Sequence, residues 1–565
     1  MYNEWPKERE ILRGLKRADD PERTAAGIPL YARDSCVYVE DSSQHIIVQG
    51  ATGQGKTQCL TLPYVDDILA HGESLIMIDR KGEVYERMAG KLPPDAQLVC
   101  LDFSAPSHSK NGWNPLQLIT DCLNSADGDT RDAGNELMEA FLSGIVRRED
   151  HGHDQYWTHT ARDLLAGLIL CLNKGSEKVT VSDLNLLLSQ LDNRQGRNTL
   201  AQRLSAVGSD QDLYRTKLDS YINTASDTRS CIHSCAVTAL NKITVSEGVL
   251  KLMNGDEEWS IADLNLEKPF FICAIVPDET SNYDVLAGVL VGQLAYYLEK
   301  KARSFPDGCL PRRVNVLVEE AGTIFIPSLV QLMAAARSRN IRMTLILQDA
   351  VAQLTRLYSP GGMEAITGNA KINVVFASNS QNLLAEWSGK CGNKLYEHDG
   401  THVLAPLLSI EQLWALPEGR ALINIQGHQA LHYIAQLPMY YESHGTPAVS
   451  ADIPMAKRCV HEPFSAEAFF EHLRDLHLDE LAVLLSKQAR AADAKNTLLA
   501  LCWLVVVDWG DATDLLKTEA QIKAVEFGKN ETGFSRYKMR KSDADLFQIR
   551  IEREDGTAFV EAIDH

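Results

Sequence analysis

The run Gly50-Ala-Thr-Gly-Gln-Gly55-Lys56-Thr57 has the spacing G-x-x-x-x-G-K-[ST], which can cradle a polyphosphate. Glycines there let successive backbone N–H groups turn toward phosphate oxygens, and a helix opening at the lysine adds the positive end of its dipole. Lys56 would supply a point charge to the β- and γ-phosphates, and Thr57 would offer a hydroxyl to Mg2+. Gly50, Ala51, Thr52, Gly53, Gln54, Gly55, Lys56 and Thr57 are therefore the expected contacts for ATP. Such a loop also needs a carboxylate beside the metal. Val314-Asn-Val-Leu-Val318 reads as a buried strand that runs into Glu319 and Glu320. Glu319 is expected to share the Mg2+ shell with Thr57, and Glu320 to polarise the attacking water.

Two more polar residues sit where this chemistry could use them. Gln348 follows the strand-like Met343-Thr-Leu-Ile-Leu347, at the carboxyl end of a strand, where α/β sheets bind ligands. It reads as a γ-phosphate sensor. Arg337, in the small-residue helix Ala334-Ala-Ala-Arg337-Ser-Arg339, suits either a finger offered to a neighbouring subunit's nucleotide or an ordinary surface ion pair.

Elements must position these groups, and the periodicity supplies them. His45–Gln49, Ser74–Asp79 and Gln97–Asp102 read as strands, with a helix over Lys56–Leu69, which is βαβ rhythm and implies a parallel sheet. From Pro115 to about Gly255 apolar residues recur at helical spacing, as in Trp157, Ala161, Leu164, Leu165, Leu168, Ile169 and Leu172. Strand-like runs return at Phe270–Val276, Val314–Val318, Met343–Leu347, Ile372–Phe376 and Ala421–Ile425. The expected fold is α/β: a P-loop nucleotide-binding domain over 43–114 and 256–442, interrupted by an all-α domain over 115–255. Residues 1–42 are expected on the sheet's edge. The extension 443–565 reads as a small α+β domain, with helices around Ser465 to Val506 and a hairpin of Phe547–Glu552 with Thr557–Val560.

Composition excludes several classes. With 45% hydrophobic and 23% charged residues the chain is an ordinary globular protein, and 565 residues allow three or four domains. A net charge of −20 disfavours a nucleic-acid coat, so any nucleic-acid path must be a local basic lining. The longest apolar run, Leu498 to Val507, is half a membrane span, and twelve cysteines without a Cys-x-x-Cys pair read as a reduced, cytosolic chain.

The chain resembles the type IV coupling proteins, conjugation ATPases of the FtsK/HerA-like branch of RecA-type P-loop motors. The resemblance rests on the loop Gly50–Thr57, Ile78-Asp-Arg-Lys-Gly-Glu83, Gly112-Trp-Asn-Pro-Leu116, Tyr156–Leu165, the acidic strand, the segment Arg337–Gln348, Leu407–Pro417 and Tyr440-Tyr441, in that order. It implies a RecA-like domain with an all-α insertion and a homohexameric ring on the cytoplasmic face of the cell membrane. It further implies ATP hydrolysis with Mg2+ that moves single-stranded DNA and its attached relaxase, or other secreted substrates, into a type IV secretion channel. Residue by residue, Lys56 and Thr57 match the Walker A pair, Glu319 and Glu320 the Walker B pair, Arg337 the finger and Gln348 the sensor. The family usually has Asp where this chain has Glu319, and usually carries N-terminal transmembrane helices. The expected anchor is therefore a membrane partner not encoded in this chain, unless the chain is a soluble portion. A motor receiving proteins only, or a nucleotide-gated docking platform with weak hydrolysis, are the alternative readings.

His151, His153, Asp154 and His159, or Cys231, His233 and Cys235, lack the second ligand pair of a zinc site and read as helix packing and solvated histidines. Tyr156-Trp157 is expected in the α-domain core. The basic run Arg536–Lys541 reads as a solvated face.

Overall fold

In the computed structural model the described residues are 4–147, 155–176, 178–191, 199–207, 212–244, 246–255, 259–398, 401–427, 432–441 and 465–476, with the backbone of strands at 503–508, 548–553 and 558–561. The His151–Asp154 cluster and the basic run Arg536–Lys541 lie outside them. The chain divides into two compact units, one of Met1–Leu118, Ser143–Ile145 and Lys242–His461, the other of Ile119–Leu142, Val146–Asn241 and Glu462–His565.

In the first unit, β1 (Lys16–Arg17), β2 (Ile28–Arg33) and β3 (Cys36–Glu40) form their own antiparallel sheet in the order β1-β3-β2 rather than lengthening the main one. The main sheet holds, among the described residues, nine strands. In chain order they begin β4 (Ile46–Gln49), β5 (Ser74–Asp79), β6 (Gln97–Asp102), β7 (Phe270–Ile275), β8 (Val314–Val318), β9 (Ile341–Leu347) and β10 (Ile372–Val375). A separate hairpin of β11 (Asn393–His398) and β12 (Thr401–Pro406) intervenes before β13 (Arg420–Ile425) and β14 (His432–Gln436) complete it.

The spatial order is β14-β13-β10-β4-β9-β8-β5-β7-β6. The seven strands from β10 to β6 are parallel, while β13 and β14 are antiparallel additions. Continuous apolar runs such as Ile46-Ile-Val48 and Val314–Val318 suit strands buried on both faces, as parallel sheets require. One face packs on a large core containing Tyr64, Phe271 and Phe376. A smaller cluster of Leu384, Trp387, Leu407, Leu413, Leu416 and Leu422 covers the β10–β13 end.

The second unit is helical over Gln155–Gly175, Val181–Gln190, Leu200–Ala206 and Leu213–Ile222, and Leu164, Leu165, Leu168, Ile169 and Leu172 lie in its interior. Its helices start where polar side chains can satisfy the first N–H groups: Thr180 accepts from the Asp183 backbone, and Thr199 from that of Gln202. Tyr156 departs from its expected place in the core. It is 46% exposed and meets Trp157 edge to face, because it lies in the first turn of its helix, on the side away from Leu164 and Leu168. In the extension, the hairpin of β16 (Gln548–Arg553) and β17 (Ala558–Glu561) coincides with the sequence reading, but β15 (Trp503–Asp508) stands where helix was expected. Its Trp-Leu-Val-Val-Val run is β-branched and favours an extended backbone. No helix among the described residues is long and apolar enough to cross a membrane.

Candidate nucleotide site

The loop 50–57 leaves the middle of the sheet. Gly50 has φ 148°, and a Cβ there would come within 2.7 Å of the Phe376 Cβ, so only glycine lets the chain leave β4 against β10. Gly53 has φ 80° with open space where a side chain would stand, which leaves the crest of the loop free for a ligand's close approach. The Lys56 ammonium donates to the carbonyls of Gly50 (2.7 Å) and Ala51 (2.8 Å) and so bridges the loop mouth. Burial lowers its pKa, while the charges of Glu320 and Glu319 oppose that shift. The helix begins with a π-helical turn over Thr57–Thr61 and continues as α-helix to Ala70.

Strand order brings the acids in. One strand, β9, separates β4 from β8, so Glu319 leaves the sheet about 10 Å from the loop strand, within reach of side chains from both. Successive strand residues point to opposite faces, and Glu320, left-handed at φ 49°, turns the chain at the strand's end. As a result Glu319 Oε1 lies 3.5 Å from the Thr57 hydroxyl, while Glu320 Oε2 accepts from Gln348 Nε2 at 3.4 Å. Gln348 is exposed at the carboxyl end of β9. Five residue types singled out in the sequence thus meet at one edge: the loop glycines, Lys56, Thr57, the two glutamates and Gln348.

Arg337 is elsewhere. It is exposed at the opposite edge, donating to Gln44 Oε1 at 3.0 Å, and about 20 Å of strand separates that position from its own loop.

Neighbours that sequence reasoning passed over complete the acidic side. Asp79, fully buried at the end of β5, accepts four backbone N–H bonds, from Lys81, Gly82, Val84 and Tyr85, at 2.9–3.1 Å. Burial nonetheless raises its pKa. Arg80, also buried, pairs with Asp284 at 2.7 Å, donates to the Thr323 hydroxyl at 2.5 Å, and gives its backbone N–H to Glu319 Oε2 at 3.3 Å. Thr323 in turn donates to the Glu320 carbonyl, so this one arginine braces both glutamates. The signal was available, since Ile78-Asp-Arg-Lys-Gly-Glu83 is a strand running into alternating charges. Burial and the charge of Asp79 push the Glu319 carboxyl up to about 8.

The donor set fits a divalent cation carried with a polyphosphate. One hydroxyl and one carboxyl converge, Asp79 and Glu320 lie close beside them, and Mg2+ characteristically takes one or two protein oxygens with phosphates and waters.

The comparisons bear on the fold and the family. The chain is similar to the bacterial conjugative coupling protein TrwBdeltaN70 in its unbound form, at 16% identity and TM-score 0.53, covering 74% of this chain and 89% of that one. It is similar to TrwB in complex with the ATP analogue ADPNP, at 17% identity and TM-score 0.51, over 70% of this chain and 86% of that one. TrwB in complex with ADP and Mg2+ matches at 17% identity and TM-score 0.51, over 74% of this chain and 87% of that one. At these identities the likeness establishes the fold, a RecA-like P-loop domain with a helical insertion. No curated protein sequence matches the chain. The family profile described as Type IV secretory system Conjugative DNA transfer matches residues 3–404, more than half of the sequence, and the chain belongs to that family.

Proposed function

We propose that the chain is an ATP-hydrolysing coupling protein that drives single-stranded DNA, with its relaxase, toward a type IV secretion channel. The observation that carries this reading is the convergence of Thr57 and Glu319 at 3.5 Å beside the loop that Lys56 closes. Loop N–H groups and Lys56 bind the phosphates, and the lysine exchanges its two carbonyl partners for phosphate oxygens. Thr57 and Glu319 are the residues that would hold Mg2+, which when bound neutralises charge on the phosphates and orients them. Glu320 accepts the proton of the attacking water, and Gln348, already against Glu320, reports the γ-phosphate position. Arg337 acts on a neighbouring subunit's nucleotide, since its own lies at the far edge of the sheet.

The nucleotide-binding domain is 43–114 with 256–442, the all-α domain 115–255 and the C-terminal extension 443–565. Six copies form a ring at the inner face of the membrane. The test is Mg2+-dependent ATPase rate against protein concentration, with and without single-stranded DNA, for wild type and Lys56→Ala. Stimulation by DNA, with near-complete loss in the variant, is expected. Turnover without DNA stimulation would favour protein cargo only. Absence of turnover with ATP still bound would favour a nucleotide-gated platform, a reading to which the raised pKa of Glu319 lends support.

A further inference from the structure

Trp414 is 60% exposed, the most exposed of the large hydrophobic side chains in the described residues. It closes the short helix Ile410–Trp414, whose start is fixed by a reciprocal cap: the Ser409 backbone donates to Gln412 Oε1 at 2.9 Å, and the Gln412 backbone to Ser409 Oγ at 3.3 Å. Leu413 and Leu416 are buried in the cluster with Leu384 and Trp387, so the turn of the helix carries Trp414 outward. A tryptophan buries up to about 250 Å2 when packed, and its exposure here forgoes that gain.

Its position relative to the loop is fixed three times over. Because β13 runs antiparallel to β10, with Leu422 opposite Val375, the residues that precede β13 stand beyond the carboxyl end of β10. That is the edge from which the phosphate loop rises. The indole N–H donates to Asn379 Oδ1 at 3.3 Å, and Asn379 lies two residues after Ala377, whose carbonyl accepts from the Ala51 backbone at 2.9 Å. Five residues past Trp414, the Gly419 backbone donates to the Gln54 carbonyl at 3.3 Å. The segment thus binds the loop at Gln54 and, through Asn379, joins the chain that holds Ala51. The indole is held by its nitrogen, and among the described residues no aromatic ring or cation stacks on its faces.

We propose that Trp414 is the stacking platform for the base of the nucleotide whose phosphates occupy the loop, an inference that rests on the P-loop reading above. Phosphate contacts alone do not distinguish a nucleotide from a bare polyphosphate; an indole face beside the loop does, because every base has a π-face to cover it. The asparagine bond restrains the ring before binding, which lowers the cost of ordering it on the ligand.

The test uses the full chain with Mg2+ and calorimetric titration of two probes, a non-hydrolysable ATP analogue and inorganic tripolyphosphate, for wild type, Trp414→Ala and Trp414→Phe. The expected result is affinity for the ATP analogue lowered about 5- to 150-fold in Trp414→Ala and largely restored in Trp414→Phe, with tripolyphosphate unchanged. Equal affinity for the analogue in wild type and Trp414→Ala overturns the proposal. Equal weakening of both probes also overturns it, since the change would then act through the loop. Unchanged analogue affinity with impaired assembly would place Trp414 at a contact between subunits. If wild type binds neither probe, the P-loop reading fails first and takes the proposal with it; tripolyphosphate binding keeps the two failures apart.

Discussion

The two ends of the main sheet both bury charged side chains, but they treat them differently. At the amino end every buried charge has a near partner of opposite sign. Arg342, fully buried at the start of β9, meets Glu40 at 2.8 Å; Arg313 grips Glu73 with two nitrogens at 2.8 Å; and Arg23 meets Asp67 at 2.6 Å. Asn315 and Tyr64 extend the Glu73 network, and the carbonyls of Ala26, Asp41 and Ser42 take the remaining guanidinium protons. Even His45 is held neutral, its imidazole pushed down to about 4 by burial and by Arg337 and Arg342 nearby. At the carboxyl end Arg80 pairs with Asp284 and Arg87 with Glu83, but Asp79, Glu319 and Glu320 crowd together beside them, and the nearest lysine is engaged by carbonyls. Balanced charge at one end fastens the N-terminal sheet to the fold. At the other end burial and crowding raise the Asp79 and Glu319 carboxyls, so that a cation with its phosphates can displace a proton there.

Arg337 offers the largest test of this contrast, because it alone among these amino-end arginines is exposed and meets no carboxylate among the described residues. If it serves a neighbour, Arg337→Ala lowers turnover by about 10³–10⁵ while sparing ATP binding. Mixing Arg337→Ala with Lys56→Ala subunits should then recover partial ATPase activity, since some interfaces join an intact loop to an intact arginine. A mixture no more active than its parts, where wild type is hexameric, would return Arg337 to the structural set.

Next in size is the buried pair. Glu40→Ala should cost about 3–5 kcal/mol of stability in denaturant unfolding, because Arg342 is left charged in the interior. Nucleotide affinity should stay within about twofold. Glu40→Leu combined with Arg342→Met should recover most of the loss; failure to do so would mean that the amino end requires charge rather than merely balancing it.

The effect smallest at any one pH is a slope. Glu319 ordinarily titrates near 4.5 and is raised to about 8, so the folded chain keeps a proton that the unfolded chain has lost between those values. Stability should therefore fall as pH rises from about 4.5 to 8, by at most about 1.4 kcal/mol per pH unit, and level off above 8. Denaturation curves across that range should lose this component in Glu319→Gln. Below pH 8, binding of Mg2+ and nucleotide should release up to about one proton, a release absent in the variant.

Much of this was legible from residue order. The strands at 46–49, 74–79, 97–102, 270–275, 314–318, 341–347, 372–375 and 420–425 match runs of apolar residues, because a strand buried on both faces has little choice of composition. The loop and its acids were legible because phosphate and metal chemistry tolerates few substitutes. Asp79 and Arg80 were less so, since what distinguishes them is burial, and burial depends on β5 lying between β8 and β7, strands drawn from much later in the chain. The hairpin β11–β12 and strand β14 carry mixed polar residues with weak alternation, as in His432-Tyr-Ile-Ala-Gln436, and only pairing with β13 reveals β14. Trp503–Asp508 was misread because a short apolar run fits either helix or strand.

The prop behind the loop also sets a timetable for synthesis. Cys59, in the first turn after the loop, lies against the Leu437 carbonyl across 378 residues of chain, and Gly419 holds Gln54 from almost as far away. At roughly 5–20 residues per second, the ribosome needs about 20–75 s to deliver those supports. For most of that time β4 lacks both of its sheet neighbours, and a glycine-rich turn stands on an unpaired apolar strand. The nascent chain accordingly carries an unpaired apolar strand through most of its translation, and the supports of the phosphate loop arrive only with the last strands of the sheet.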